Sequence, residues 1–160
     1  MTEALDPDTL DRLRRGIPLR LDRTGRFHLG DEPVTHPRVL AAFLAGLDVS
    51  EAGEPTLQVG NQWCYLTVDD CPLRATGVLR GDDGAPQLRL DDGRTVALDP
   101  ATVLEDAGGL RAAAPSQRSG RPLAVRFNNT AAMDLTAWIE GDAESATLVV
   151  GDRRTPLRRP

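Results

Sequence analysis

The chain has 160 residues, of which 40% are hydrophobic, and its formal net charge at pH 7 is −5. This length and composition are typical of a globular protein that buries a core as one domain or as two small halves. All 19 basic residues are arginine and they are spread along the chain, which excludes Schiff-base and lysine-dependent phosphate-loop chemistry and argues against nucleic acid as the main partner.

The sequence indicates a soluble, cytoplasmic protein without a membrane segment. No apolar run approaches the ~18 residues of a membrane span, and the N-terminal segment MTEALDPDTLDRLRR is too acidic and polar for a signal peptide. Cys64 and Cys71 have the spacing of neither a disulfide framework nor a zinc ribbon. We therefore expect both thiols to be reduced.

A short helix is the first predicted element. Asp6 is a suitable N-cap, Pro7 fits the first helical position, and Gly16 favours the end of the helix. Residues 18–22 and 26–29 are then predicted to form a hairpin whose turn contains Gly25. The first helix presents one apolar face, which consists of Leu10, Leu13 and Ile17.

A second helix is predicted after a turn at residues 30–33. Thr35 and Pro37 mark its start, and its apolar stripe needs a sheet to cover it. A second hairpin follows, with its turn at Gly60-Asn61. The apolar stripe of the second helix consists of Val39, Leu40, Phe43, Leu44 and Leu47.

Strands dominate the second half, according to its alternating patterns and its turn residues. One short helix is predicted between Asp99, as its cap, and Gly108-Gly109, and residues 111–121 are the best candidate for an exposed loop. Residues 131–140 fit a strand, although Leu135, Trp138 and Ile139 also fit a helix. The predicted strands are 73–80, 86–91, 94–98, 122–127, 133–140, 145–150 and 153–157.

Two segments of the chain resemble each other. Residues 19–40 and 88–104 both begin Leu-Arg-Leu-Asp, turn at a glycine and meet a proline before Val-Leu. We interpret this as an internal duplication that gives an α+β fold of two related halves, 1–72 and 73–160. Turn chemistry alone could also produce the likeness. Duplication predicts that the following pairs match: Leu21 with Leu90, Gly25 with Gly93, and Val39-Leu40 with Val103-Leu104.

The first half resembles a bacterial family known as domain of unknown function 1285 (DUF1285). The likeness rests on the segment GRFHLGDEPVTHPRVLAAFLAGL and on LTVDDCPL after the hairpin. The family has an Asp/Gly turn, an aromatic strand, a Gly-x-x-Ile/Val turn, a helix with a Leu-x-x-Leu-Phe face and a strand that ends in Asp-x-Pro. We match these features to Asp22 and Gly25, to Phe27 and His28, to Gly30 with Val34 (one residue further apart than in the family), to Leu40 with Phe43, and to Asp70 with Pro72.

This resemblance implies a duplicated α+β core whose second half is similar to a pleckstrin-homology-like sheet. It also implies a nucleotide-type ligand between the halves and a role in signalling. The chain departs from the family in the hairpin, where Val59-Gly60-Asn61-Gln62 replaces a Pro-Val-Glu-Lys stretch. A ligand contact made by those charges would be missing here.

Residues suited to metal or acid–base chemistry are few. His28 and His36 are the only histidines, and we interpret the first as a strand residue and the second as a helix-start residue. Zinc held by both histidines with Cys64 and Cys71 is disfavoured, because no pair has a local ligand spacing. Cys64 fits a small core position. We predict no metal site and no catalytic residues.

The alternation of residues 62–68 places two aromatic rings on one face of the strand. Trp63, Tyr65 and Thr67 lie opposite Cys64, Leu66 and Val68, and such rings must be covered by something. The cover is either the other half of the protein, or a ligand or partner in the cleft between the halves. The candidate binding residues are Trp63, Tyr65, Asn61, Gln62, Arg74 and Arg126, the two arginines being suited to an anionic ligand.

The sequence thus predicts a non-enzymatic ligand-binding or sensory module without a cofactor. Its ligand would be a nucleotide-like or other anionic small molecule bound between the halves. The alternative is a protein-interaction module that uses an exposed sheet edge or the aromatic face. An enzyme is least favoured, because two histidines and no lysine leave few groups for catalysis.

Overall fold

The computed structural model describes residues 6–160 and has an α+β fold, as predicted. Residues 1–5, which the sequence assigned to the N-terminal half, lie outside the described residues. The helices are α1 (Pro7–Arg15), α2 (Pro37–Gly46) and α3 (Asn129–Leu135). The strands are β1 (Leu19–Leu21), β2 (Phe27–Leu29), β3 (Glu32–Pro33), β4 (Leu47–Val49), β5 (Pro55–Val59), β6 (Gln62–Tyr65), β7 (Thr67–Val68), β8 (Leu73–Arg80), β9 (Pro86–Leu90), β10 (Thr95–Ala97), β11 (Leu104–Asp106), β12 (Gly109–Pro115), β13 (Pro122–Phe127), β14 (Ile139–Glu140), β15 (Thr147–Val150) and β16 (Arg153–Pro156).

The chain divides into two compact units. The first contains the described residues up to Pro72 together with Ser116–Arg121, and the second contains Leu73–Pro115 and Pro122–Pro160. The first unit has one sheet in the order β3-β2-β1-β7 and another in the order β4-β5-β6. The second unit has a six-stranded sheet in the order β10-β9-β8-β13-β12-β11 and a three-stranded sheet, β14-β15-β16. No helix within residues 6–160 is long and apolar enough to cross a membrane.

One stretch of chain serves both sheets of the first unit. Strand β6 pairs antiparallel with β5, and at Leu66 the backbone N–H still donates to the carbonyl of Pro55 (3.0 Å). The next two residues, β7, instead pair in parallel with β1. The predicted hairpin with its turn at Gly60 is confirmed. The strand changes sheets at Leu66, however, so the two sheets diverge there.

Helix α1 begins and ends as the sequence predicts. Asp6 caps it by accepting a hydrogen bond from the backbone N–H of Thr9 (2.9 Å), and Gly16 follows its last residue. None of the helical residues is buried, however. Leu13 and Ile17, which belong to the predicted apolar face, are exposed. Leu10, the third residue of that face, is half-buried, so the helix contributes no fully buried residue to the hydrophobic core.

Helix α2 also forms, and its N-cap is His36, whose Nδ1 accepts from the backbone N–H of Arg38 (3.2 Å). The expected full cover over its apolar stripe is absent. Gly46 is its only buried residue, while Val39 is exposed and Phe43 is half-buried. The predicted turn before the helix is partly wrong, because Glu32–Pro33 form a short strand paired with β2.

Non-local pairing overrides the sequence prediction for residues 99–121. Asp99 caps only a 3₁₀ turn at Pro100–Thr102, after which Leu104 opens β11. The stretch predicted as an exposed loop contains most of β12, which pairs along its length with β13. The predicted short helix is therefore wrong, and so is the exposed loop for residues 111–115, but residues 116–121 do form a turn that is exposed at residues 117–120.

The strand predicted at 133–140 is also wrong. Asn128 accepts a hydrogen bond from the backbone N–H of Ala131 (2.8 Å) and caps α3, which continues into a 3₁₀ turn at Thr136–Trp138. Only Ile139–Glu140 form a strand. Leu135 and Trp138 are buried, whereas Met133 is 70% exposed. The buried residues are spaced as in a helix, so the helical alternative for residues 131–140 describes this segment better than the predicted strand.

The two similar segments share a turn but not a register. Gly25 N–H donates to the carbonyl of Asp22 (3.1 Å), and Gly93 N–H donates to that of Leu90 (3.1 Å). Leu90 therefore takes the place of Asp22, not of Leu21 as duplication predicts. The expected match of Val39-Leu40 with Val103-Leu104 is also wrong, because the first pair is helical and the second lies after a 3₁₀ turn.

Candidate functional site

The first unit contains an apolar groove of about 420 Å³. Its walls come from the chain after α1, from the hairpin β1–β2, from α2 and from the β5–β6 hairpin. We define the groove by its lining residues, which are Ile17, Leu19, Leu29, Val34, Val39, Phe43, Leu57, Val59, Gln62, Trp63 and Cys64.

The groove is lined from both sheets of the first unit. Leu19 and Leu29 belong to one sheet, and Leu57 and Cys64 belong to the other. Helix α2 borders the groove with part of the apolar stripe that no sheet covers.

Aliphatic side chains at the groove are unusually exposed. Leu29 is 51% exposed, Ile17 and Val59 are each 43% exposed, and Val39 is 37% exposed. Large exposed hydrophobic residues elsewhere in the described chain are Leu13, Leu79 and Met133. Single exposed apolar residues are ordinary, but a contiguous cluster indicates a binding surface.

Few polar groups face the groove. Gln62 and Trp63 offer an amide and an indole N–H, and Cys64 is the ionisable group among the described lining residues. Burial raises the pKa of the Cys64 thiol, so at neutral pH it is a protonated, weakly polar side chain. The groove is therefore suited to apolar matter with one or two hydrogen-bonding groups.

Helix α1 covers the aromatic face of β6. The guanidinium carbon of Arg14 lies 4.1 Å from the centroid of the Trp63 ring, and that of Arg15 lies 4.0 Å from the centroid of Tyr65. The two rings meet edge to face, with centroids 5.2 Å apart. Neither alternative considered from the sequence included this helix as the cover. Both rings remain half-buried.

The two arginines differ in their other partners. Arg15 donates to Asp11 (2.7 Å) and to Glu54 (2.6 Å). The hydrogen bonds that Arg15 donates to Glu54 and Asp11 raise the pKa of Arg15 and lower the pKa of each carboxyl group. Arg14 has no ion pair within 4.0 Å among residues 6–160. Arg15 is thus committed to a local network, whereas Arg14 is not.

The remaining candidates on the hairpin lie around these rings. Gln62 lines the groove, and Tyr65 lines a smaller polar cavity of about 260 Å³ beside Arg15 and Glu54. Asn61 is exposed in the turn and lines neither cavity. Of the six residues proposed from the sequence, Trp63 and Gln62 are therefore brought together at the groove.

Arg74 and Arg126 both lie in the second unit and both have acidic neighbours. Arg74 Nη1 is 3.9 Å from Asp91 Oδ2, and its backbone N–H donates to Asp91 Oδ1 (3.1 Å). Arg126 donates to both carboxylate oxygens of Asp106 (2.7 and 3.2 Å) and to the carbonyl of Gly109 (3.0 Å). The hydrogen bond from Arg126 lowers the pKa of Asp106 from 3.8 to about 2. Asp106 thus occupies the position that an anionic ligand would take at Arg126.

The histidines have local partners in the first unit. His28 Nε2 lies 2.7 Å from Asp22 Oδ2. Burial alone would raise the pKa of Asp22, but hydrogen bonds from His28, Arg26 and Thr24 outweigh it and hold that pKa well below its usual range. In the part of the chain that the structure describes, no three His, Cys, Asp or Glu residues are grouped in a way that could hold a metal ion.

Sequence reasoning missed the aliphatic part of the groove. Leu29 and Val59 were taken as ordinary strand residues, and Val39 was expected to lie beneath a sheet. The one available indication was that α2 carries an apolar stripe broader than the short strands around it could cover. The position of the groove depends on how two sheets and α2 come together, which no local pattern specifies.

The fold is shared with two solved proteins described as DUF1285 family proteins. The one from Silicibacter pomeroyi DSS-3 is 18% identical, with a TM-score of 0.63 and coverage of 89% of this chain and 80% of that chain. The one from Shewanella baltica OS155 is 14% identical, with a TM-score of 0.55 and coverage of 71% and 86%. No protein-family model and no curated protein matches the sequence. The resemblance predicted from the sequence is therefore confirmed at the level of the fold.

Proposed function

We propose that the chain, which has the fold of DUF1285 family proteins, is a non-enzymatic module that binds a small, mainly apolar ligand in the groove of its first unit. The observation that carries this proposal is the clustering of exposed aliphatic side chains around a cavity of about 420 Å³. Small-molecule sites typically measure ~300–1,000 Å³ and are lined by apolar and aromatic groups with few polar ones.

Ligand binding would remove apolar surface from water that is exposed in the free protein. Leu29, Val39 and Val59 each leave more than a third of their surface in water. Covering apolar surface stabilises a complex by about 25 cal/mol per Å². A ligand that covers these side chains thus gains free energy that no element of the described first unit supplies.

The chemistry of the groove supports binding over catalysis. General acid–base catalysis needs a titratable group whose pKa lies near the working pH. The described lining residues offer only the Cys64 thiol, and burial moves its pKa upward, away from neutrality. His28 is held by Asp22 and does not line the groove.

The proposal can be tested with a neutral, environment-sensitive dye such as N-phenyl-1-naphthylamine. We expect saturable dye binding, with quenching of Trp63 fluorescence in a Trp138→Phe background. Leu29→Arg puts a charge into the groove and should weaken dye binding at least about tenfold. Met133→Arg is the matched control, because Met133 is an exposed apolar residue of the second unit, and it should leave binding unchanged. Absence of dye binding, or equal binding by both variants, would contradict the proposal.

A protein-interaction role is the second candidate, and one observation favours it. Strand β6 is the terminal strand of the sheet β4-β5-β6, and an edge strand can pair with an extended peptide. Its Gln62, Trp63 and Cys64 border the groove, so an added strand would place alternate side chains there. A photo-crosslinker at Gln62 that captures a peptide segment while small apolar compounds fail to bind would favour this role.

The resemblance also implies a nucleotide-like ligand between the halves and a part in signalling. Both stay predictions. The groove proposed here lies within the first unit and takes apolar matter, and it does not depend on either of them.

A further inference from the structure

We infer that the ligand of the groove is an amphipathic carboxylic acid, with its hydrocarbon chain in the groove and its carboxylate on Arg14. This inference rests on the proposed function and names the ligand class for the same site. It adds a charged contact beside Trp63 to a cavity whose lining is mainly apolar.

The position of Arg14 follows from its stacking. Its guanidinium carbon lies 4.1 Å from the centroid of Trp63, and Trp63 is itself a lining residue of the groove. Two residues later along the chain, Gly16 ends α1, and Ile17 enters the groove lining. The cation is therefore held beside the groove by a ring that forms part of its wall.

Stacking leaves the hydrogen-bond donors of Arg14 available. A guanidinium that lies over an aromatic ring uses its face, while its N–H groups project in its own plane. Two of these can bind both oxygens of one carboxylate. The half-buried ring also restricts the guanidinium, so less side-chain entropy is lost when an anion binds.

The surrounding charges assign this role to Arg14 and not to its neighbour. Arg15 already binds the carboxylates of Asp11 and Glu54. Asp11 is the acid whose pKa is lowered by both arginines, but its short contact is with Arg15. The described groove lining has no carboxylate that would repel an anionic head group. Within residues 6–160, Arg14 thus has no ion pair of its own, and it offers a positive charge beside Trp63, a lining residue of the groove.

The chemical class of the ligand follows from these two features together. One guanidinium matches one carboxylate, and an apolar cavity matches an unbranched hydrocarbon chain. The alcohol of the same chain length would fill the groove equally but would lack the charge-assisted hydrogen bonds. Comparing acid with alcohol therefore isolates the contribution of Arg14.

The test measures displacement of N-phenyl-1-naphthylamine by decanoate and by decanol, both below their aggregation concentrations. For the unmodified protein we expect decanoate to bind about tenfold more tightly than decanol. Arg14→Gln should weaken decanoate to the level of decanol and leave decanol unchanged. Arg14→Lys keeps the charge and should retain part of the preference.

Arg12→Gln is the matched control, since Arg12 is an exposed arginine of the same helix that donates to Thr9. It should leave both affinities unchanged. If the acid and the alcohol bind equally to the unmodified protein, or if the preference survives Arg14→Gln, the inference is wrong while the proposed function stands. If the dye binds but neither compound displaces it, the inference is likewise wrong, whereas the proposed function itself fails only if the dye does not bind. Unchanged decanol binding by Arg14→Gln shows that this variant is folded.

Discussion

Gly46 of α2 packs directly against the backbone of Gln58 in β5. A Cβ atom at position 46 would overlap the carbonyl oxygen of Gln58 and lie 3.0 Å from its carbonyl carbon. Both of these are backbone atoms, so they cannot move aside as a flexible side chain could. The close approach of helix to strand at this point therefore requires glycine.

We expect Gly46→Ala to destabilise the protein by about 2 kcal/mol, within the usual range for overpacking. Helix propensity alone would make the alanine variant more stable by about 1 kcal/mol. A loss of stability would therefore have to come from the overlap with the Gln58 backbone. Gly16→Ala adds a methyl group at an exposed glycine with a φ of −80° and should change stability by less than about 1 kcal/mol. The measurement is the free energy of unfolding of both variants in urea. A Gly46→Ala variant that is more stable than the unmodified protein would contradict the close contact of Gly46 with the Gln58 backbone.

The ion pair of Asp106 with Arg126 should make stability depend on pH in acid. The pKa of Asp106 falls from 3.8 to about 2 on folding. A carboxyl group with a lowered pKa stabilises the fold above its unfolded pKa, and this stabilisation is lost as the pH falls through the folded pKa. The contribution is thus complete above about pH 4 and disappears towards pH 2.

Asp106→Asn removes the charge and nearly preserves the shape. We expect this variant to be less stable than the unmodified protein at pH 7, because the ion pair between Asp106 and the buried Arg126 is lost. The difference should shrink between about pH 4 and pH 2, as Asp106 itself becomes protonated. Thermal unfolding across this range provides the measurement. A difference that stays constant with pH would show that the lost contribution is not electrostatic.

Trp63→Ala should cost less than a full core deletion. Truncating a buried aromatic residue typically costs 3–5 kcal/mol, and the sequence led us to expect that environment. Because the ring is only half-buried and rests on β6 beneath Arg14, we expect about 2 kcal/mol. Trp63→Phe keeps a ring for Arg14 and should recover most of the loss. A cost below about 0.5 kcal/mol, as for ordinary surface positions, would mean that the Arg14–Trp63 contact adds nothing to stability.

The thiol of Cys64 should react slowly in the native protein. Burial raises its pKa, and thiolate is the reactive form. In a Cys71→Ala background, we expect alkylation by iodoacetamide at pH 8 to be at least about tenfold slower than in urea. A ligand in the groove should slow it further, because Cys64 lines that cavity. Rapid labelling without denaturant would contradict the described burial.

Local chemistry made part of the fold predictable from the sequence. Asp6 with Pro7 specified the start of α1, and Gly25 and Gly93, with φ of 90° and 92°, specified two hairpin turns. Each of these depends on atoms only a few residues apart. These caps and turns were therefore predicted correctly even where the packing was not.

The wrong predictions concern segments whose structure depends on distant partners. Strand β12 contains Ala112, Ala113 and Ala114, which do not favour a strand by themselves, and it forms because β13 pairs with it. In α3, by contrast, a local indication existed in the Asn128 cap, but the alternation of Met133 and Leu135 imitated a strand. Trp63 and Gln62 were found because aromatic residues are rare here. The aliphatic wall was not found, because it exists only once residues from two sheets and α2 come together.

Helix α1 buries none of its residues, and this separates its stability from that of the rest of the first unit. Guanidinium–ring contacts and ion pairs hold it, whereas β5 is held by strands on both sides. Exposed ionic contacts weaken as ionic strength rises, but hydrophobic burial does not. The amide protons of α1 should then exchange with solvent through local detachment of the helix, and those of β5 through much larger openings. Salt and denaturant would therefore act on different parts of one small unit.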